Sequence, residues 1–130
     1  MVTKKDVLTW LKSKDKSLAG CIYCGMINRN QEKSVGIYKR KNGKIQPLSV
    51  TGLSDYGYTA ITLLVRWTAN AAQCEEKALA LWDILQNASD PEQIGGHTCW
   101  IFARSEPVDL GKDELNIFEA VIDFDILFQK

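Results

Sequence analysis

The 130-residue sequence has one histidine, three prolines and no apolar run near the roughly 18 residues that a membrane span needs. Its first residues, Met1 to Lys12, lack the apolar core of a signal peptide. A charged fraction of 25% beside 45% hydrophobic residues excludes intrinsic disorder. We therefore expect a soluble, intracellular single domain spanning residues 1–130.

Patterns typical of catalysis, a cofactor or a metal site are also missing. Cys21 and Cys24 form a CxxC pair, but the pair begins a strand-like run, whereas redox motifs of this kind stand at helix N-termini. The other ligand candidates (Cys74, His97 and Cys99) are scattered over two further elements. We expect ordinary reduced thiols, with metal or redox roles as alternatives, and an exposed loop or edge position for His97. The predicted protein has no catalytic residues, no cofactor and no metal.

The zero net charge hides an asymmetry between the two parts of the chain. Residues 1–50 hold eleven basic and three acidic side chains, which gives +8, and residues 51–130 hold five and thirteen, which gives −8. Such a division is typical of a bipolar particle that stacks head to tail or meets a charged partner. Alternatively, the two halves neutralise each other across one sheet.

Two charged groups are candidates for contact with a partner or another subunit. The basic cluster at a predicted hairpin tip suits phosphates or an acidic protein surface, or is a solvated turn, and comprises Lys39, Arg40, Lys41 and Lys44. Asp123 and Asp125 share a strand face with Glu119, which favours an exposed polar face over a general acid–base pair.

Hydrophobic periodicity and capping residues predict two helices and several strands. Thr3 and Asp6 resemble a capping box before a helix over 4–14, and Asn70 suits the N-cap of a helix over 71–87. Strands are expected over 21–28, 35–40, 58–68, 97–105 and 116–129, the first two forming a hairpin, with a flexible loop at about 45–57. The predicted fold is α+β: a mixed, mostly antiparallel sheet with two helices packed on one face.

The last strand alternates with unusual regularity. Its predicted core face consists of Phe118, Ala120, Ile122, Phe124, Ile126 and Phe128, and the opposite face is largely exposed to solvent. At about 3.3 Å per residue it would extend roughly 45 Å, well beyond an ordinary strand. We therefore expect it to bend, or to protrude and pair with a neighbouring chain. This register predicts that Phe124 is buried and Asp123 exposed.

Several segments together resemble a known family. The stretch from Glu106 to Glu114 and the following strand, Ile117 to Phe124, are similar to the ending of small phage proteins labelled minor capsid proteins. These proteins in turn resemble the tail terminators of long-tailed phages. Further similar segments are Asp6-Val7-Leu8 with Trp10-Leu11, Gly36 to Arg40, Leu63 to Trp67, and Glu75 to Ala78. The CxxC pair and the loop from Ser49 to Tyr58 have no counterpart in that pattern.

The resemblance implies a single tail-terminator-like domain that forms a ring, commonly a hexamer, on the head-proximal end of the tail tube. Such a ring stops tube polymerisation and offers a surface to the head–neck connector. DNA only passes through its lumen, and it needs no membrane, active site or cofactor. The implied location is the tail–head junction of the virion, after assembly in the cytoplasm of the bacterial host. Alternatives are another head–tail joining or minor capsid protein, or a monomeric binding module that uses the basic hairpin at 39–44.

Overall fold

The computed structural model describes residues 1–27, 30–41 and 56–130. Its helices are α1 (Lys4–Lys14), a short 3-10 helix (Lys16–Leu18) and α2 (Ala71–Gln86). Its strands are β1 (Ile22–Cys24), β2 (Ser34–Arg40), β3 (Tyr56–Arg66), β4 (Glu92–Ile94), β5 (His97–Ala103), β6 (Val108–Lys112) and β7 (Phe118–Gln129). Lys44 and most of the loop predicted at about 45–57 lie outside the described residues, and Tyr56 and Gly57 already belong to β3.

Both α-helices begin at the residues that the sequence indicates. The Asp6 amide donates to the Thr3 hydroxyl at 3.2 Å, and the Thr3 amide donates to the Asp6 carboxylate at 2.9 Å, which completes a capping box. Asn70 Oδ1 accepts from the amides of Ala72 and Gln73 at the start of α2. Local hydrogen bonding by these side chains therefore sets both helix starts.

The strands of the described residues form one mixed sheet, and with the two α-helices they confirm an α+β fold. The strand order is β1-β2-β3-β7-β5-β4, with β6 also paired to β7. The β1–β2 pair is parallel and the other five pairs are antiparallel. Helix α1 contacts both β1 and β4, which lie at opposite ends of this order, so the sheet curls around the helix.

The predicted hairpin of residues 21–28 with 35–40 is wrong. The strand β1 has only three residues, and it lies parallel to β2, with Ile22 opposite Val35 and Cys24 opposite Ile37. Gly25 follows with a φ of +86°, a backbone conformation that glycine adopts at little cost. The chain leaves the sheet after β1 and re-enters it at the end where β1 began, so β2 runs in the same direction as β1.

Two strands were not predicted, and several predicted boundaries shift by about two residues. The strand β4 alternates between buried and exposed residues but has only three of them, too few for a period-two signal in the sequence, and all five residues of β6 are exposed, so it has no buried face. The structure begins β3 at Tyr56 rather than 58, ends β5 at Ala103 rather than 105, and begins β7 at Phe118 rather than 116.

The register predicted for the last strand is confirmed. Its residues Ala120, Ile122, Phe124, Ile126 and Phe128 are all buried. The predicted pairing of a protruding β7 with a neighbouring chain is wrong, because β7 lies inside the sheet. Its partner on one side is β3, from residue 119 to 129. On the other side, β5 pairs with residues 124–128 and β6 pairs with residues 118–121, so these two short strands take the place of a single long partner.

The buried side chains of both α-helices belong to one hydrophobic cluster with the sheet. The helices contribute Val7, Trp10, Leu11, Cys74, Ala78, Leu81 and Leu85. Across the centre of the sheet, Ile37, Leu63 and Ile122 are successive register partners, and all three belong to the cluster. We call the face of the sheet that bears these residues the core face, and its opposite the outer face.

Replacing Phe124 by alanine should lower the free energy of unfolding by about 3–5 kcal/mol, because the ring is fully buried in the core. Asp123→Ala should cost less than about 1 kcal/mol, because the Asp123 side chain is 40% exposed. Urea denaturation of both variants measures the difference. Equal losses at the two positions would contradict the assigned register.

Candidate functional site

Three of the predicted contact residues, Arg40, Asp123 and Asp125, lie together on the outer face of the sheet. Arg40 Nη2 lies 2.7 Å from Asp125 Oδ1. Arg104 Nε lies 2.5 Å from Asp125 Oδ2, and the Tyr58 hydroxyl donates to that same oxygen at 2.7 Å. The Asp125 side chain is only 3% exposed, because these three partners enclose its carboxylate. The prediction that Asp125 lies on a solvent-exposed face is therefore wrong.

Asp123 has a more open position beside the same arginine. Its Oδ1 accepts from the Thr62 hydroxyl at 2.6 Å and lies 3.7 Å from Arg40 Nε. Arg40 comes from the basic half of the chain, and Asp123 and Asp125 come from the acidic half. At these residues the two halves of the chain neutralise each other across the sheet.

The other basic residues of the predicted contact group do not join this network. Lys39 and Lys41 are exposed, and Lys39 Nζ lies 3.8 Å from the sulfur of Met1. Lys44 lies outside the described residues. Contact of this group with a partner or a neighbouring subunit remains a prediction.

Tyr58 and Arg104 are site residues that the sequence analysis missed. For Tyr58, strand alternation is a signal that points to its position on this face. Strand alternation places Tyr58 on the same face as Ala60 and Thr62, opposite the buried Ile61. Burial raises the pKa of Tyr58, and its hydrogen bond to Asp125 raises it further. The hydrogen bond to Asp125 also raises the pKa of Arg104. Both groups therefore keep their protons at neutral pH, which leaves Asp125 with two cations and a hydroxyl donor.

A second ion pair, not predicted from the sequence, fixes the turn between β6 and β7. Arg66 Nε lies 2.6 Å from Asp113 Oδ2, and the two side chains are 0% and 5% exposed. The other carboxylate oxygen of Asp113 accepts from the amides of Leu115 at 2.8 Å and Ile117 at 3.1 Å. Arg66 Nη1 also donates to the carbonyl of Gln31. The buried Arg66 thus joins the end of β3 both to the turn between β6 and β7 and to the segment that precedes β2.

The cysteines and the histidine do not form a reactive cluster. The four cysteines are free thiols, of which Cys24 is exposed and the others are buried. Burial raises the pKa of Cys74 to about 11 and also raises that of Cys21 and Cys99. His97, expected at an exposed loop or edge, is half-buried at the start of β5, where its Nδ1 lies 3.0 Å from the Gln129 carbonyl.

Residues 1–27, 30–41 and 56–130 contain neither a candidate metal site nor a candidate membrane span. No three potential ligands among His, Cys, Asp and Glu come together there. No helix in this part of the chain is both long and apolar enough to cross a membrane.

Replacing Asp113 by asparagine should lower the free energy of unfolding near neutral pH by about 3 kcal/mol, because it leaves the buried Arg66 without its counter-charge. Burial alone raises the pKa of Asp113, but hydrogen bonds from Arg66 and from the amides of Ile117 and Leu115 hold it below the ordinary 3.8. The carboxylate therefore stabilises the fold fully above pH about 3.8, and this contribution is lost as the pH falls through the lower folded-state pKa. Urea denaturation at a series of pH values from neutral to acid should show that the difference in the free energy of unfolding between Asp113→Asn and the unmodified protein narrows as the pH falls.

Asp83→Asn is the matched control for this experiment, because Asp83 is an exposed carboxylate on α2. It should leave stability nearly unchanged at every pH. A gap between Asp113→Asn and the unmodified protein that stays constant with pH would contradict the role assigned to the ionised Asp113.

Comparison with known proteins agrees with the resemblance noted in the sequence. A family model described as bacteriophage tail terminator protein matches residues 1–130, the whole length of the sequence. Searches of curated proteins and of solved structures found no match. The family match confirms the expected phage origin and identifies the chain as a tail component. The chain belongs to the bacteriophage tail terminator family.

Proposed function

We propose that this protein forms a ring, of six subunits as the resemblance implies, that seats on the head-proximal end of the phage tail tube. There it stops further addition of tube protein and presents its other side to the head–neck connector. It acts without catalysis, and DNA passes through the lumen without specific binding. The observation that carries this proposal is the family match over residues 1–130.

The charge distribution of the folded chain supports a role in assembly. The described part of the basic half includes exposed lysines on α1, whereas the exposed acidic residues of the other half lie mainly on α2 (Glu75, Glu76 and Asp83) and around β6 (Glu106, Asp109 and Glu114). A ring of identical subunits needs two different and complementary surfaces on each subunit, and opposite charges on separate parts of one chain meet that need. We also infer that both α-helices cover the core face alone, which leaves the outer face and the sheet edges available for partners.

The outer-face network supports the view that the basic tip meets protein rather than nucleic acid. Arg40 already uses its guanidinium on Asp125 and Asp123, so a phosphate would have to compete with two carboxylates. This competition weakens the alternative of a monomeric module that binds nucleic acid through residues 39–44. It is compatible with the alternative of another head–tail joining protein.

Tube growth in the presence of the purified chain tests the proposal. Tail tube protein of the same phage is polymerised with increasing amounts of the chain, and tube lengths are measured by electron microscopy. A terminator acts at tube ends, so the mean length should fall at amounts far below one chain per tube subunit. A protein that sequesters tube subunits would need near-equal amounts.

Tubes of unchanged length at a saturating amount of the chain would contradict the terminator role. A head–tail joining protein that acts elsewhere would give this result. Chain unfolded beforehand by acid or urea and added at the same ratios is the control, and it should leave tube length unchanged.

A further inference from the structure

The strand β6 forms an open edge of the sheet. It pairs with β7 on one side, and within the described residues no strand pairs with its other side. All five of its residues are exposed. An edge strand of this kind presents unpaired amide and carbonyl groups that can accept a strand from another chain.

Exposed apolar side chains concentrate around this edge. Val108 and Leu110 lie on β6 and are 53% and 54% exposed, and Leu115 in the following turn is 61% exposed. Phe102, near the end of β5, is 50% exposed. These are four of the seven exposed large hydrophobic residues in the described part of the chain. Such a concentration at one edge is typical of a protein–protein contact.

A second open edge lies at the opposite end of the strand order. It is formed by β1, which pairs only with β2 among the described residues. Cys24 at the end of β1 is exposed, and Met26 just beyond it is 83% exposed. This edge therefore also combines free strand backbone with an exposed apolar side chain.

The register places the two edges at the same height in the sheet. Ile22 of β1 pairs with Val35, which pairs with Val65, then Ala120, and finally Asp109 of β6. The pair directions also make β1 antiparallel to β6. A second copy could therefore continue the sheet with an antiparallel pair and without a shift along the strands, while being rotated relative to the first copy. Contacts that lack such a shift can close into a ring, whereas contacts with a shift generate a helical filament.

The charges beside the two edges are complementary. The segment around β6 carries Glu106, Asp109 and Glu114 against Lys112, all of them exposed. The segment that leads into β1, α1 with its 3-10 helix, carries five lysines against the aspartates at 6 and 15, and one of these lysines, Lys14, is paired with Glu92 of β4 at 3.1 Å. Opposite charge at the two edges favours contact between unlike edges and disfavours contact between two copies of β6.

We propose that the β6 edge of one copy of this chain pairs with the β1 edge of the next, in a contact that repeats around a closed ring. The inference rests on the proposed function, since it names the surface through which the subunits of that ring meet. Val108, Leu110 and Leu115 supply its apolar contacts, and the acidic residues beside them face the lysines of the neighbouring subunit.

Disulfide cross-linking to the native Cys24 tests this pairing. The register partners across the sheet place Cys24 level with Ile122. Ile122 follows Val121, which pairs with Val108 of the antiparallel β6, so the residue level with Cys24 on the β6 side is Pro107. Pro107→Cys should therefore form a disulfide with Cys24 of the next copy under mild oxidation by oxidised glutathione. A non-reducing gel should show a ladder of covalent multimers. Val108→Cys, whose side chain points to the other face, should give much less.

Cys24→Ser combined with Pro107→Cys is the first control, and it should abolish the ladder. Leu79→Cys is the second, because Leu79 is exposed on α2, away from both strand edges, and should give no ladder. In case Pro107→Cys does not fold, Val108→Arg provides an independent test. It should shift the mass measured by light scattering towards that of single chains, whereas Leu79→Arg should not.

Three results would overturn the inference. Cross-links that persist without Cys24 would mean that two β6 edges meet in a two-fold pair. Multimers that form in solution but give no cross-link would place the subunit contact elsewhere and leave the ring itself standing. Chains that remain monomeric at every concentration would refute a self-contact at these edges. Tube shortening by the same monomeric chains would still uphold the proposed function, so the two failures are distinguishable.

Discussion

The buried ion pair between Arg66 and Asp113 is the constraint on which the arrangement of the open sheet edge depends. Arg66 is fully buried at the end of the central strand β3, so its charge must be compensated within the protein. Asp113 supplies that charge and also accepts the two amides that close the turn into β7. Because β6 directly precedes this turn, one interaction holds an otherwise exposed strand beside the core. An edge fixed in this way is preorganised for a partner strand.

The outer-face network shows how the charge asymmetry of the chain is used. Arg40 and Asp125 come from opposite halves of the sequence and neutralise each other within one subunit. Among the exposed charges that the proposed contact uses, Lys14 also pairs with Glu92 within the subunit, at 3.1 Å. Under the proposed pairing, the asymmetry would stabilise the sheet within one subunit and also make its two edges complementary, so the two interpretations of the charge pattern are compatible.

Local patterns in the sequence predicted the elements that depend on local physics. The capping box at Thr3, the N-cap at Asn70 and the alternation around Phe124 are all properties of adjacent residues, and the structure confirms them. The direction of β1, the burial of Asp125 and the Arg66–Asp113 pair depend on residues far apart in sequence, which periodicity does not encode. Of the candidate site, charge patterning identified Arg40, Asp123 and Asp125. It missed Tyr58 and Arg104, because a tyrosine or an arginine on a strand face has no local signature of the carboxylate that it binds.

We propose that this member of the tail terminator family assembles into a closed ring through unlike surfaces. Light scattering across a chromatography peak, at low and high salt and over a range of concentrations, tests it most directly. We expect one discrete species near six times the 14.6 kDa chain mass, which high salt dissociates in part because opposite charges contribute to the contact. A mass that grows without limit as the concentration rises would contradict ring closure, and a monomer under every condition would contradict self-assembly of the free chain.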